Sequence, residues 1–215
     1  MNTNTAMSNT PVRSPQAVLK QVFGYKDFRD GQEAIIAAAL DGQDSLVLLP
    51  TGGGKSLCYQ VPALILDGVT VVISPLISLM QDQVAQLRAL GVQAAYINNS
   101  LPFEEQQAVY QQLHYGQIKL LYVAPEKVLQ HEFLERLSHL KLALFAIDEA
   151  HCVSHWGHDF RPHYCRLNEL KQRFMHVPMM ALTATADKAT RYDIIEQLQL
   201  NHPYVHTGSF DRPNI

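Results

Sequence analysis

Six short runs, apolar almost from end to end, set the tightest limit on the fold: 46–49, 69–73, 94–97, 120–123, 142–147 and 179–182. A strand with one wet face alternates apolar and polar residues, whereas these runs do not. Each therefore has to be covered on both faces, which is the condition of a parallel sheet between two layers of helices. The intervening segments supply the helices. Ser14 followed by Pro15 reads as an N-cap with proline in the first turn. Met80, Val84 and Leu87 fall on one face of a helix expected to end near Gly91. Asp30 and Glu33 have the spacing of a capping box ahead of the run IIAAAL. The expected architecture is a single α/β domain, doubly wound.

Composition narrows the classes. A chain of 215 residues that is 47% hydrophobic can bury one substantial core. The net charge of −3 carries no global basic signature, so a nucleic-acid partner has to be held by local features. No apolar run approaches the roughly 18 residues of a membrane span, and none is expected. The first residues, MNTNTAMSNTPVR, are polar with no apolar signal region and are expected to form a disordered lead over 1–13, with the folded domain over 14–208. Three cysteines do not make a disulfide framework and suit a reducing cytosol, so a cytoplasmic protein is expected.

Two stretches carry chemistry. In LVLLPTGGGKS, Gly52, Gly53 and Gly54 sit between a strand and a helix. Backbone N–H groups can converge there on phosphate oxygens without Cβ obstruction, and the helix adds its positive end. Lys55 would reach the outer phosphates and Ser56 would ligate Mg²⁺. Leu49 stands where the generic phosphate-loop pattern has its first glycine. In IDEAHCVSHWGHDFRPHY, Asp148 and Glu149 close an apolar strand at the sheet edge where α/β folds bind ligands. One carboxylate there can serve the Mg²⁺ shell while the other orients and deprotonates water. Trp156, Phe160 and Tyr164, mixed with Arg161 and histidines, suit stacking on bases and contact with phosphates. The same segment holds His151, Cys152, His155, His158, His163 and Cys165, but no paired-knuckle spacing repeats, so a zinc site is set aside.

PTGGGKS, the DEAH box at 148–151 and ALTATA at 181–186 resemble motifs I, II and III of superfamily 2 helicases. More narrowly, FGYKDFRDGQ (23–32), SPLISLMQDQ (74–83), YVAPE (122–126) and SHWGHDFRPHY (154–164) resemble the motifs of RecQ DNA helicases. The resemblance implies the first RecA-like P-loop lobe of an ATP-dependent 3′–5′ helicase of recombination and repair, using ATP and Mg²⁺. Tyr25, Arg29 and Gln32 would meet adenine; Thr51, Gly52, Gly53, Gly54, Lys55 and Ser56 would hold the phosphates. Ser56 and Asp148 would serve the metal, and Lys55, Glu149 and His151 would join Asp148 as catalytic groups. Ser74, Trp156, His158, Phe160, Arg161, Thr183 and Thr185 would contact single-stranded or duplex DNA, or couple it to the ATP site.

The resemblance also implies a nucleoid-associated monomer without membrane contact. SFDRPNI (209–215) resembles the start of a linker into a second RecA-like lobe. Without that lobe the chain is expected to bind nucleotide weakly, hydrolyse it slowly and not unwind DNA. His155 and His163 replace a common glutamine and glutamate of the family's loop, and Asp30 a frequent proline.

Overall fold

The structure, a computed structural model, describes residues 13–208. The expected lead, apart from Arg13, and the linker at 209–215 lie outside the described residues. The strands are β1 (Ser45–Leu48), β2 (Val69–Ile73), β3 (Ala94–Ile97), β4 (Leu120–Val123), β5 (Leu142–Ile147), β6 (Met179–Thr183) and β7 (Tyr204–Thr207). The first helices are α1 (Pro15–Gln21), α2 (Gln32–Leu40), α3 (Lys55–Ile65), α4 (Ile77–Ala89) and α5 (Phe103–His114). They are followed by α6 (Pro125–Val128), α7 (His131–Ser138), α8 (Pro162–Cys165), α9 (Asn168–Arg173) and α10 (Lys188–Gln197), with a 3₁₀ turn over Ala150–Val153.

The strands form one sheet in the order β3-β4-β2-β5-β6-β1-β7, and the pairs are parallel throughout. Every residue of β1, β2, β4 and β6 is buried, as strands covered on both faces must be. Successive residues of β1 enter opposite cores. Leu46 and Leu48 pack with Val71, Ile73 and Phe145, while Val47 joins Tyr59, Val72, Met80, Val84 and Leu87. The period-2 geometry of a strand thus divides one apolar run between two helical layers.

The helix ends follow local chemistry. Ser14 caps α1 by accepting from the Ala17 N–H at 3.2 Å. Met80, Val84 and Leu87 are the buried face of α4, and Gly91 takes the left-handed conformation (φ 78°) that follows its end. The capping box at Asp30 and Glu33 does not form. Gly31, at φ 80°, occupies the N-cap position of α2, and no side chain caps the helix there. Instead the Gln32 carboxamide oxygen accepts from the Arg29 N–H at 2.8 Å, so an amide inside the helix closes the turn. Gly31 is also required by packing, because a Cβ there would lie 2.1 Å from the His206 ring.

β7 was not expected from the sequence. It is a half-buried edge strand of four residues, too short for its alternation to stand out. Its pairing with β1 is what carries the chain back past the phosphate loop, where the Gly208 N–H donates to the Leu48 carbonyl at 2.8 Å.

Candidate active site

The carboxyl ends of β1, β5 and β6 bring the nominated residues to one edge of the sheet. After β1 the chain turns at Pro50, with the Gly53 N–H donating to the Pro50 carbonyl at 2.8 Å. Gly52 and Gly54 are left-handed (φ 77° and 79°), and α3 starts at Lys55. A Cβ on Gly53 would lie 2.7 Å from the Pro50 oxygen, and one on Gly54 would lie 2.3 Å from the Gln32 amide nitrogen. The loop is therefore a concave run of backbone N–H groups at a helix start, shaped for an anionic group by the lack of side chains. Leu49, in place of the generic first glycine, is buried against the core and leaves this concavity intact.

Residues 25–32 latch onto the loop. Gln32 is buried, and its amide nitrogen donates to the Gly54 carbonyl at 3.1 Å; Arg29 donates to the Gly52 carbonyl. Gln32 thus has both ends of its carboxamide engaged by protein, and here it acts on the loop rather than presenting a free edge. Tyr25 is 53% exposed, whereas Phe23 is partly buried in the core. Tyr25, Arg29, Gln32, Thr51, Lys55, Ser56, Asp148 and Glu149 line one cavity of about 750 Å³, in the range of small-molecule sites. The Lys55 ammonium donates to the Leu49 carbonyl at 3.5 Å.

Because Gly54 combines a left-handed φ with the Gln32 contact, Gly54→Ala is expected to cost about 1–2 kcal/mol of stability from the backbone alone. It should also release the latch. Thermal unfolding with titration of a fluorescent nucleotide checks both; unchanged stability and affinity would contradict the fit.

Asp148 and Glu149 follow β5. Asp148 is partly buried, and its carboxyl is pushed up to about 6, first by loss of water and then by the Glu149 charge. Its own carboxylate accepts the Glu149 N–H at 3.0 Å, while the Tyr164 hydroxyl donates to its carbonyl at 2.9 Å. Glu149 is a non-glycine residue at φ 50°, a conformation costing about 1–3 kcal/mol that the surrounding packing must hold. From it a polar line runs to β6. His151 Nδ1 lies 3.3 Å from the Glu149 carboxylate and 2.8 Å from the Thr183 hydroxyl. The Thr183 hydroxyl can donate to the Thr185 carbonyl at 3.1 Å, which leaves it to accept from His151. Burial, more than any neighbour, lowers the His151 pKa, which favours the uncharged ring.

The loop after the 3₁₀ turn is rooted on both sides. Ser154, fully buried, donates to Asp193 of α10 at 2.8 Å and accepts the Trp156 N–H at 3.2 Å. Arg161 donates to the Pro75 carbonyl at 3.4 Å and to Asp159 at 3.3 Å. His158 stacks on His151 (5.2 Å, 14°), and His155 on Phe160 (3.9 Å, 27°). Trp156 is 76% exposed. His158 and Thr185 are also exposed, but Thr183 and Ser74 are buried. Ser74, nominated for DNA contact, is inside the protein, its hydroxyl without a partner among the described residues.

A family model, DEAD/DEAH box helicase, matches residues 29–194. The chain belongs to the DEAD/DEAH box helicase family. Among curated proteins, this helicase-family chain is 61% identical over 198 residues to "ATP-dependent DNA helicase RecQ" of Pasteurella multocida, covering 92% of this chain and 31% of that protein. It is 59% identical to the protein of that name from Haemophilus influenzae (93% and 32% covered) and 50% identical to "RecQ-like DNA helicase BLM" of Xenopus laevis (92% and 15% covered). The chain thus spans about a third, or less, of the length of these relatives.

Among solved structures, the DUF1998 helicase MrfA bound to DNA aligns with a TM-score of 0.71 at 20% identity, covering 89% of this chain and 28% of that one. The Hef helicase domain of Pyrococcus furiosus aligns with a TM-score of 0.63 at 21% identity, covering 84% and 38%. At these identities they show the fold, which is that of RecA-like helicase domains. Among the described residues, no helix is long and apolar enough to cross a membrane.

Two residues of this candidate site escaped the sequence reading. Asp193 carries no motif signal and acts only through its place on α10. Asp159 was not counted with the soft ligands, yet its carboxylate joins His151 and Cys152 with ligand atoms within 4.8 Å of one another. All three are already engaged: His151 with Thr183, the Cys152 thiol with Asp159 at 3.7 Å, and Asp159 with Arg161. Burial, then the Asp159 charge, pushes that thiol up to about 12, so it is held as a protonated donor.

Proposed function

We propose that this chain is the nucleotide-binding lobe of an ATP-dependent DNA helicase of RecQ type, working 3′ to 5′ in recombination and repair. The observation that carries the reading is the line Glu149–His151–Thr183, which starts at the strand end beside the phosphate loop and runs to the end of β6, with His158 of the aromatic loop stacked on the His151 ring. Lys55 and the glycine N–H groups would hold the triphosphate, with Tyr25 stacking on its base. Ser56 and Asp148 offer the oxygen set that Mg²⁺ takes, and that ion would supply charge neutralisation at the transferring phosphate. Glu149 would accept the proton of the attacking water. His151, reaching both Glu149 and Thr183, would position that base according to the state of the loop.

On the DNA side, Trp156 offers an open indole face, and stacking there is worth about 1–3 kcal/mol per base whatever the sequence. The RecQ relatives are named DNA helicases, which favours a DNA rather than an RNA substrate. A second RecA-like lobe, expected to complete the ATP site, would convert opening and closing into steps.

ATP hydrolysis is to be measured with and without single-stranded DNA, on this chain and on this chain joined to a second lobe from a relative. Slow turnover by the chain alone, DNA-stimulated turnover after joining, and loss of the stimulation in Trp156→Ala are the expected results. Stimulation by RNA but not DNA would favour an RNA helicase. No turnover in any form would leave a nucleotide-dependent binding module.

A further inference from the structure

The line through His151 does not account for a second set of buried polar groups, on the other face of the sheet. Gln60 lies on α3, 6% exposed, and its amide nitrogen donates to the Gln83 carboxamide oxygen of α4 at 2.9 Å and to the Tyr122 hydroxyl of β4 at 3.2 Å. The Tyr122 and Tyr59 hydroxyls are 3.2 Å apart, and both residues are 1% exposed. Around them the layer is apolar: Val72, Met80, Val84 and Leu87. Apolar side chains of the same shape would fill this space with no desolvation cost. A satisfied buried network of this kind chiefly fixes the relative position of the elements it joins.

Those elements run between the two halves of the proposed site. The first turn of α3 carries Lys55 and Ser56. Tyr59 follows about one turn later on the same helix. At the other end, α4 begins just after Ser74 and Pro75, and the Pro75 carbonyl is where Arg161 of the aromatic loop donates. That junction has spare valence. The Arg161 Nε and the Ser74 hydroxyl are both buried with no partner among the described residues, so a displacement of the start of α4 that gave them partners would be favourable. Leu76 and Ile77, the residues that would move, are exposed.

We propose that α4 is a second transmission element, and that the Gln60–Gln83 amide pair is its coupling joint. Movement of the Pro75 end of α4, driven by the loop, is passed through Gln83 to Gln60 and so to the first turn of α3. DNA at the loop then changes nucleotide affinity by this path as well as through His151 and Thr183. Gln60 and Gln83 are positioning residues in this scheme, which rests on the proposed helicase reading.

The test uses this chain. Its single tryptophan is Trp156, so intrinsic fluorescence reports oligo-dT binding at the loop, while a methylanthraniloyl ATP analogue with Mg²⁺ reports the phosphate loop. The ratio of nucleotide Kd values without and with saturating oligo-dT is the coupling factor, and by linkage nucleotide changes DNA affinity by the same factor. The wild type is expected to show a factor of about fivefold or more, and Gln83→Leu one at least about twofold smaller, the remainder passing through His151 and Thr183. Gln83→Glu keeps the acceptor oxygen for Gln60 and should keep the factor, which a purely structural role would not predict. Gln83→Ala serves if the leucine variant does not fold.

A wild-type factor in Gln83→Leu or Gln83→Ala would overturn the proposal, as would a Gln83→Glu factor as low as that of leucine. A wild type that binds each ligand singly with a factor of unity would overturn it while leaving the functional reading in place. Failure of the wild type to bind nucleotide or DNA at all would remove both.

Discussion

Replacing Asp44 by alanine is expected to destabilise the folded chain by about 3–5 kcal/mol, the cost of breaking a buried pair from one side. Asp44 is 3% exposed, just before β1, and both its carboxylate oxygens are engaged. One accepts from the Lys171 ammonium at 2.6 Å and the Met179 N–H at 2.9 Å; the other accepts from the Asn201 N–H at 2.7 Å. A single carboxylate therefore ties α9, the start of β6 and the turn into β7 to the start of β1. Removing it leaves the largely buried Lys171 charge without its partner and two N–H groups without acceptors. Denaturant unfolding of wild type and variant measures the loss. Asp44→Asn, which keeps an acceptor but not the charge, should fall between them if the alanine variant does not fold. A loss below about 1 kcal/mol for alanine would show that Asp44 does not hold these elements together.

Asp148→Asn is expected to act in opposite directions on stability and on activity. The folded state holds this carboxyl at about 6 against an ordinary 3.8, because burial and then the Glu149 charge oppose its ionisation. A raised carboxylate pKa means that the folded state binds the proton more tightly than the unfolded state. Ionisation therefore costs nothing below the ordinary value; the cost grows as pH rises between 3.8 and 6 and is complete above. The shift corresponds to on the order of 2–3 kcal/mol, part of which the neutral asparagine recovers. Asp148→Asn should accordingly be more stable than wild type at pH 7, with the gap closing toward pH 4. Hydrolysis by the lobe-completed enzyme should fall by more than about a hundredfold, since a preorganised charge at the reacting phosphate is lost. A variant less stable than wild type at pH 7, or a gap that does not change with pH, would show that the carboxylate is not held against its own preference.

Such opposition is consistent with the Glu149 backbone at φ 50°, also held away from its preferred conformation. Local cost at residues 148 and 149 is carried by the sheet around them, as strained residues at functional sites commonly require.

The legible part of this protein was whatever is written locally. Runs at 69–73, 94–97, 120–123 and 142–147 coincide with β2, β3, β4 and β5, because a strand covered on both faces must be apolar almost throughout. The Ser14–Pro15 cap and the Met80–Val84–Leu87 face depend only on neighbours within one or two turns. The three glycines and Asp148–Glu149 could be assigned to one edge of the sheet because parallel topology sends every strand's carboxyl end the same way.

The rest was decided where distant residues meet. Asp44 finds Lys171 127 positions away, and Gln60 finds Gln83 and Tyr122 across two other elements. Asp30 has the spacing of a cap, yet the His206 ring against Gly31 and the Gln32 latch to Gly54 set that turn instead. Ser74 sits in a motif that suggested contact with DNA, and packing turned it inward. By itself the sequence determined the layered parallel fold, the phosphate loop and the chemical character of the aromatic loop, since period, glycine placement and residue type are local properties. Only the tertiary structure decided which polar groups are buried together. Pairing energy inside a protein depends on separation in space and exclusion of water, and neither is written in the order of residues.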